Sequence, residues 1–299
     1  MFEIIFLGTA GMVPTKDRNH TSVLLKHDVE SMLFDCGEGV QRQFKIAKED
    51  IMRLTKIFIT HWHGDHVLGL PGLLQSLNIN KYNKHLDIYG PKGTKKYFSH
   101  MFNAFSFDNK LDMEIHEVEK DGLVCERENY LVEARTLRHS TLCLGYRFSE
   151  KPRRRMNMDY IKKQGIPEGP LLGKLQAGET ITYKGKRITP DKATYIVEGK
   201  KVAYISDTEP CPNAVKLASD VDILIADSMH LSDIEDKAEE FQHLTSKQAA
   251  QIASQSNAKK LILTHFSQRY KTTADLEREA KDIFPNTIAA FDFMKVKVR

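Results

Sequence analysis

Apolar residues recur along the chain in two rhythms, one of period two and one helical, and their alternation predicts mixed β-sheets covered by helices. Ile4–Leu7, Ser22–Leu25 and Met32–Phe34 read as successive strands, followed by a helix over Val40–Ala47. Ile57–Ile59 is the next strand, Val67–Leu77 a helix, Ile88–Tyr89 a strand and Thr94–Phe105 another helix. Further β runs, among them Val132–Leu137, continue to Phe148. A second α/β half begins near Ala193. It places strands at Val202–Ile205, Ile223–Ala226, Leu261–Leu263 and Ala289–Phe293, with helices at Ala214–Ala218, Ser246–Ser254 and Ala274–Asp282. This order puts the helices on the outer faces of the sheets. Residues 149–181 break the rhythm: they are basic, then rich in glycine and proline, with little core-like periodicity. They predict an arm protruding from the domain.

Composition changes this picture only at a few points. The 299 residues sit at the upper edge of one hydrophobic core, so one large domain, or one with an insertion, is expected. No apolar run approaches the roughly 20 residues that span a bilayer, and Met1–Ile5 lacks a secretory pattern. A soluble, cytoplasmic protein with no membrane partner is the expectation. Cys36, Cys125, Cys143 and Cys211 form no close pair and read as small core residues. The net charge of +4 is unevenly spread. Lys151, Arg153, Arg154, Arg155, Lys162 and Lys163 face only Asp159 within their segment, which leaves the rest of the chain slightly acidic. Such a run is either a solvated face or a surface for phosphates.

The strongest chemical signal follows Ile57–Ile59 directly: Thr60-His61-Trp62-His63-Gly64-Asp65-His66. In an extended segment residues two apart point the same way, so His61 and His63 converge on one ion. Gly64 lets the chain turn, and Asp65 and His66 are then free to face a second. Imidazole and carboxylate together suit zinc, with manganese or iron also compatible. Three later residues stand where a predicted strand ends: His139, Asp207 and His265. With the first cluster they make seven ligands, enough for two metals sharing a carboxylate.

These motifs resemble the metallo-β-lactamase superfamily and, within it, the RNase Z family of tRNA 3′-processing endoribonucleases. The likeness includes Gly69-Leu70-Pro71-Gly72-Leu73-Leu74, the Pro14-Thr15-Lys16-Asp17-Arg18-Asn19 loop and His139-Ser140. It continues through Ser206-Asp207-Thr208, His243-Leu244-Thr245 and Thr264-His265-Phe266-Ser267. Gly165-Ile166-Pro167-Glu168-Gly169-Pro170 resembles the family's arm, its tRNA-binding exosite. The resemblance implies a four-layer αββα metallo-β-lactamase fold over residues 1–299, with an inserted basic Gly/Pro-rich arm over 149–181. It implies two Zn2+ per chain: His61, His63 and His139 on one, Asp65, His66 and His265 on the other, Asp207 bridging.

The activity implied is removal of the 3′ trailer from precursor tRNA, leaving a tRNA 3′-hydroxyl and a 5′-phosphate trailer, by attack of a dizinc-bound hydroxide. Asp65 would orient the nucleophile or accept its proton, and His243 would protonate the leaving O3′; a helix-start histidine is the structural alternative for His243. Lys16, Arg18, Asn19 and Thr208 are candidate substrate contacts beside the metals. Arg153, Arg154, Arg155, Gly169 and Pro170 are candidates in the arm. Family members are commonly homodimers, so a homodimer is expected. Two other readings compete: a superfamily hydrolase of a small phosphodiester or ester, and a non-catalytic RNA-binding relative. Retention of all seven ligands counts against the second.

Overall fold

The structure, a computed structural model, describes residues 2–106 and 108–298. The chain is organised as two compact units. The larger comprises residues 1–126, 131–148 and 201–299, and the smaller residues 127–130 and 149–200.

The larger unit is built on two seven-stranded sheets. The first draws on β1 (Phe2–Gly8), β2 (Ser22–His27), β3 (Glu30–Phe34), β4 (Leu54–Phe58), β5 (Leu86–Pro91) and β6 (Met113–Val118). The second begins with β7 (Gly122–Glu126), β8 (Tyr130–Leu137) and β9 (Cys143–Glu150). After the smaller unit's strands β10 (Arg153–Met156), β11 (Ile181–Tyr183), β12 (Lys186–Ile188) and β13 (Thr194–Val197), the second sheet resumes. It adds β14 (Lys201–Ile205), β15 (Ile223–Asp227), β16 (Leu261–Thr264) and β17 (Thr287–Ala289), and β18 (Lys295–Val298) returns to the first. The strand orders are β18-β1-β2-β3-β4-β5-β6 and β17-β16-β15-β14-β9-β8-β7.

Four layers follow from where alternate side chains go. In β1, Ile5 and Leu7 pack with Val40, Phe44, Leu70 and Leu74 of the helices outside the first sheet. The opposite face is closed by aromatic contacts between the sheets. Phe58 lies 5.2 Å and Phe34 6.1 Å from Tyr146, and Phe2 5.1 Å from Phe148. Outside the second sheet, Ile205, Leu224 and Leu263 pack with Leu217, Ala249, Ala253 and Leu276. Strands buried on both faces read as near-continuous apolar runs, which is why β14, β15 and β16 stand out in the sequence; these three are parallel. Cys36, Cys125 and Cys143 are buried, as small core residues should be, and Cys211 is partly so. Among the described residues no helix is long and apolar enough to cross a membrane.

Two predicted elements are corrected. The helix expected over Val67–Leu77 is two helices, Gly64–Val67 and Leu70–Ile79. Gly69 sits at the break, where a Cβ would lie 2.1 Å from the Gly37 carbonyl oxygen. The closing strand expected over Ala289–Phe293 ends at Ala289. The chain then turns through Phe293 (φ 71°), and Phe6 bonds with Phe293 and Met294 as β18 enters the first sheet.

The smaller unit holds the segment read as a loop-like arm and continues to Lys200. It has a core of its own: Ile161, Ile166, Leu175, Ile181, Ile188 and Ala193. Its framework is the antiparallel pair β10–β13, the hairpin β11–β12 and helices Met158–Gln164 and Pro170–Gln176.

Candidate metal centre

Every predicted ligand follows the end of a strand, where the sheet fixes its position. His61 to His66 follow β4, His139 follows β8, Asp207 follows β14 and His265 follows β16. Together they form two donor sets sharing one carboxylate: His61, His63, His139 and Asp207, then Asp65, His66, His265 and Asp207. Asp207 Oδ2 lies 3.6 Å from His61 Nε2, 3.8 Å from His139 Nε2 and 3.4 Å from His66 Nε2. Its Oδ1 is 3.2 Å from His265 Nε2. His63 Nδ1 and His139 Nε2 are 3.3 Å apart, and Asp65 Oδ2 is 3.3 Å from His265 Nε2. Two atoms each about 2.0–2.1 Å from one tetrahedral ion are separated by about 3.3 Å. The observed spacings cluster at that value.

The donor chemistry fits a metal. His61 Nε2, His66 Nε2 and Asp65 Oδ1 are buried with no hydrogen-bond partner, an arrangement that is costly unless something else satisfies them. Burial lowers the pKa of His61, His63 and His139, keeping them neutral with a lone pair to give. Burial opposes charge on Asp65 and Asp207, but the facing histidines override it and hold both carboxyls well below their ordinary range. His265 is likewise opposed by burial, yet Asp207, Asp227 and Asp65 lift it to about 10. The carboxylates thus draw positive charge into the pocket.

A ring of further residues orients these donors. His66 Nδ1 donates to Asp35 Oδ2 at 2.8 Å, and the same carboxylate accepts from Thr60 N at 2.8 Å and the Tyr204 hydroxyl at 2.9 Å. The Thr60 hydroxyl is 3.0 Å from His61 Nδ1, and the Gln242 carbonyl accepts from His139 Nδ1 at 3.1 Å. Bonding one ring nitrogen fixes which nitrogen faces the ion. Asp227, the last residue of β15, accepts from His243 Nδ1 at 3.0 Å and lies 3.4 Å from His265 Nδ1. Asp35, Tyr204 and Asp227 were missed by sequence reasoning. The available signal for the two carboxylates was the strand-then-carboxylate pattern that also marks Asp207.

The other predicted residues divide. His243 joins the centre: its Nδ1 is 3.9 Å from Asp207 Oδ2, and it lines the same pocket as His63, Asp65 and His139. Burial lowers its pKa, and Asp207 and Asp227 more than reverse this. In the Pro14–Asn19 loop, the Lys16 side chain is 90% exposed, its ammonium 4.0 Å from Asp17 Oδ2. Arg18 instead donates to the Ser267 and Tyr270 carbonyls at 3.2 and 2.6 Å. Asn19 donates through its side chain to the Glu38 carbonyl at 2.8 Å and through its backbone to Asp292 at 2.8 Å. Thr208 is buried, accepting from Arg138 N and donating to the Glu209 carbonyl. These three side chains are engaged within the protein. Arg153 and Arg155 are exposed on β10, while Arg154 donates to Thr194. Gly169 (φ 144°) precedes Pro170, which opens its helix.

Residues 2–114 match a family model described as anti-Pycsar protein Apyc1, and residues 175–266 one described as a β-lactamase superfamily domain. A ribonuclease Z of Methanothermobacter thermautotrophicus is 41% identical, covering 100% of this chain and 97% of its own. One from Archaeoglobus fulgidus is also 41% identical, over 100% and 98%. The crystal structure of the short form of human tRNase Z superposes with a TM-score of 0.73 at 27% identity, covering 99% of both chains.

Proposed function

The chain belongs to the ribonuclease Z family, with the metallo-β-lactamase fold, and from that premise we propose that it is an endoribonuclease cutting the 3′ trailer from precursor tRNA. The observation that carries the reading is the pair of donor sets joined at Asp207. His61, His63 and His139 would hold one zinc ion, Asp65, His66 and His265 the other, with Asp207 between them. Bound there, the ions supply Lewis acidity that activates water and offsets the charge developing on the scissile phosphate.

The protein's own groups handle the protons. Asp65 Oδ1, buried and unpartnered, orients the attacking water or accepts its proton. The water oxygen bonds to phosphorus as the P–O3′ bond breaks, leaving the phosphate on the trailer. His243 supplies the proton that O3′ needs from Nε2, because Nδ1 is held by Asp227. Lys16 would meet a backbone phosphate, and Arg153 and Arg155 would hold more of the tRNA. Arg18, Asn19 and Thr208 act by shaping the loops. The reading also carries a homodimer in the cytoplasm, which sedimentation and fractionation test.

Two zinc ions per chain, with cleavage lost on chelation and restored by zinc, are the expected results. Cleavage indifferent to chelator would overturn the reading.

A further inference from the structure

Resting on that reading, we propose that Phe241, with Met12 and Met229, forms a stacking subsite for the base of the nucleotide whose O3′ is the leaving group. The pocket above the metal donors has a volume of about 440 Å³, within the range of sites that hold a small ligand. The charged donors and His243 form one part of its lining, and Met12, Met229 and Phe241 supply an apolar part. Phe241 is 55% exposed and Met12 53%. A large ring left open beside buried carboxylates is not explained by the core. A phosphate has no use for it, whereas every base has a face that stacks on an aromatic side chain. Methionine adds a polarizable surface that adapts to purine or pyrimidine.

The backbone ties this wall to the chemistry. Phe241 ends the helix Glu235–Phe241, and Gln242 follows in the left-handed conformation (φ 56°). The Gln242 carbonyl holds His139, and His243 N bonds back to the Ala238 carbonyl at 2.8 Å. Phe241 is therefore fixed two residues from the group that protonates O3′. Gly11 admits Met229 to the same pocket: a Cβ there would lie 2.6 Å from Met229 Cε and 3.1 Å from His265 Cε1.

The test compares precursor tRNA with the same RNA made abasic at the nucleotide 5′ of the cut. Wild-type cleavage of the natural RNA checks the underlying reading separately. On that RNA, Phe241→Ala should lower kcat/KM about five- to thirty-fold, while Phe241→Tyr stays near wild type. The abasic RNA should be cut by wild type with a similar deficit, and Phe241→Ala should add nothing to it. An equal loss for Phe241→Ala on both RNAs would overturn the subsite. So would a deficit that appears only when the abasic nucleotide is 3′ of the cut.

Discussion

His243 Nδ1 lies 3.0 Å from Asp227 Oδ2, and the same carboxylate oxygen accepts from Leu244 N at 3.0 Å. A buried aspartate at the end of a strand thus fixes both the ring and the backbone of the proposed proton donor. His243→Ala should lower pre-tRNA cleavage by about 10²-fold or more with metal content unchanged. A substrate releasing p-nitrophenolate, which leaves without a proton, should be cut almost normally. Equal loss on both substrates would make His243 structural. Asp227→Asn should show a weaker version of the same pattern.

Asp35 gathers Thr60, His66 and Tyr204 around one carboxylate with no solvent exposure. It holds this position with φ of 56°, a conformation that aspartate tolerates better than most residues. Asp35→Ala should weaken metal binding by about 10- to 100-fold, as is usual for losing an outer partner of a ligating histidine. Competition against a chromogenic chelator measures this. Unchanged affinity would show that His66 needs no such support.

Much of this centre is legible in the sequence because ligand and strand are neighbours in the chain. His61, Asp207 and His265 each follow an apolar run and His139 an alternating β-like one, so the fold's rigidity and the chemistry are read together. Asp35 and Asp227 follow apolar runs too. Their partners His66 and His243 are 31 and 16 residues away, and only the packing of separate strands brings them together. The smaller unit was harder still. Ile161, Leu175, Ile181 and Ile188 come from four short elements, so no window shows a period although together they make a core. The closing strand failed for the opposite reason: Ala290 and Phe291 continue the apolar run beyond the end of β17, up to the turn at Phe293.

Arg153 and Arg155 are exposed on β10 and have no part in the core of the smaller unit. Replacing both with alanine should weaken precursor binding and reduce the slope of log K against log salt by about one per arginine. Hydrolysis of a small phosphodiester should be unchanged. A slope identical to wild type would remove these residues from the RNA surface.

Asp292 joins the Pro14–Asn19 loop to the first sheet, accepting from Thr9 Oγ1 at 2.7 Å, Asn19 N at 2.8 Å and Gln43 Nε2 at 3.2 Å. Burial pushes its carboxyl up to about 6, against the pull of those donors. The folded protein then keeps a proton that the unfolded chain releases near its ordinary pKa of about 3.9. Stability from this group is present below that value and is lost as pH rises through about 6. Relative to Asp292→Asn, wild type should lose up to about 3 kcal/mol between about pH 4 and 7. Unfolding free energies measured across that window check it, and a constant difference would contradict it.

The most direct test of the proposed activity is to map both ends produced from a precursor tRNA with a 3′ trailer, with zinc and with chelator. The expected result is a single zinc-dependent cut after the discriminator nucleotide, leaving a 3′-hydroxyl on the tRNA and a 5′-phosphate on the trailer. No cut, or a cut leaving a 3′-phosphate, would contradict it.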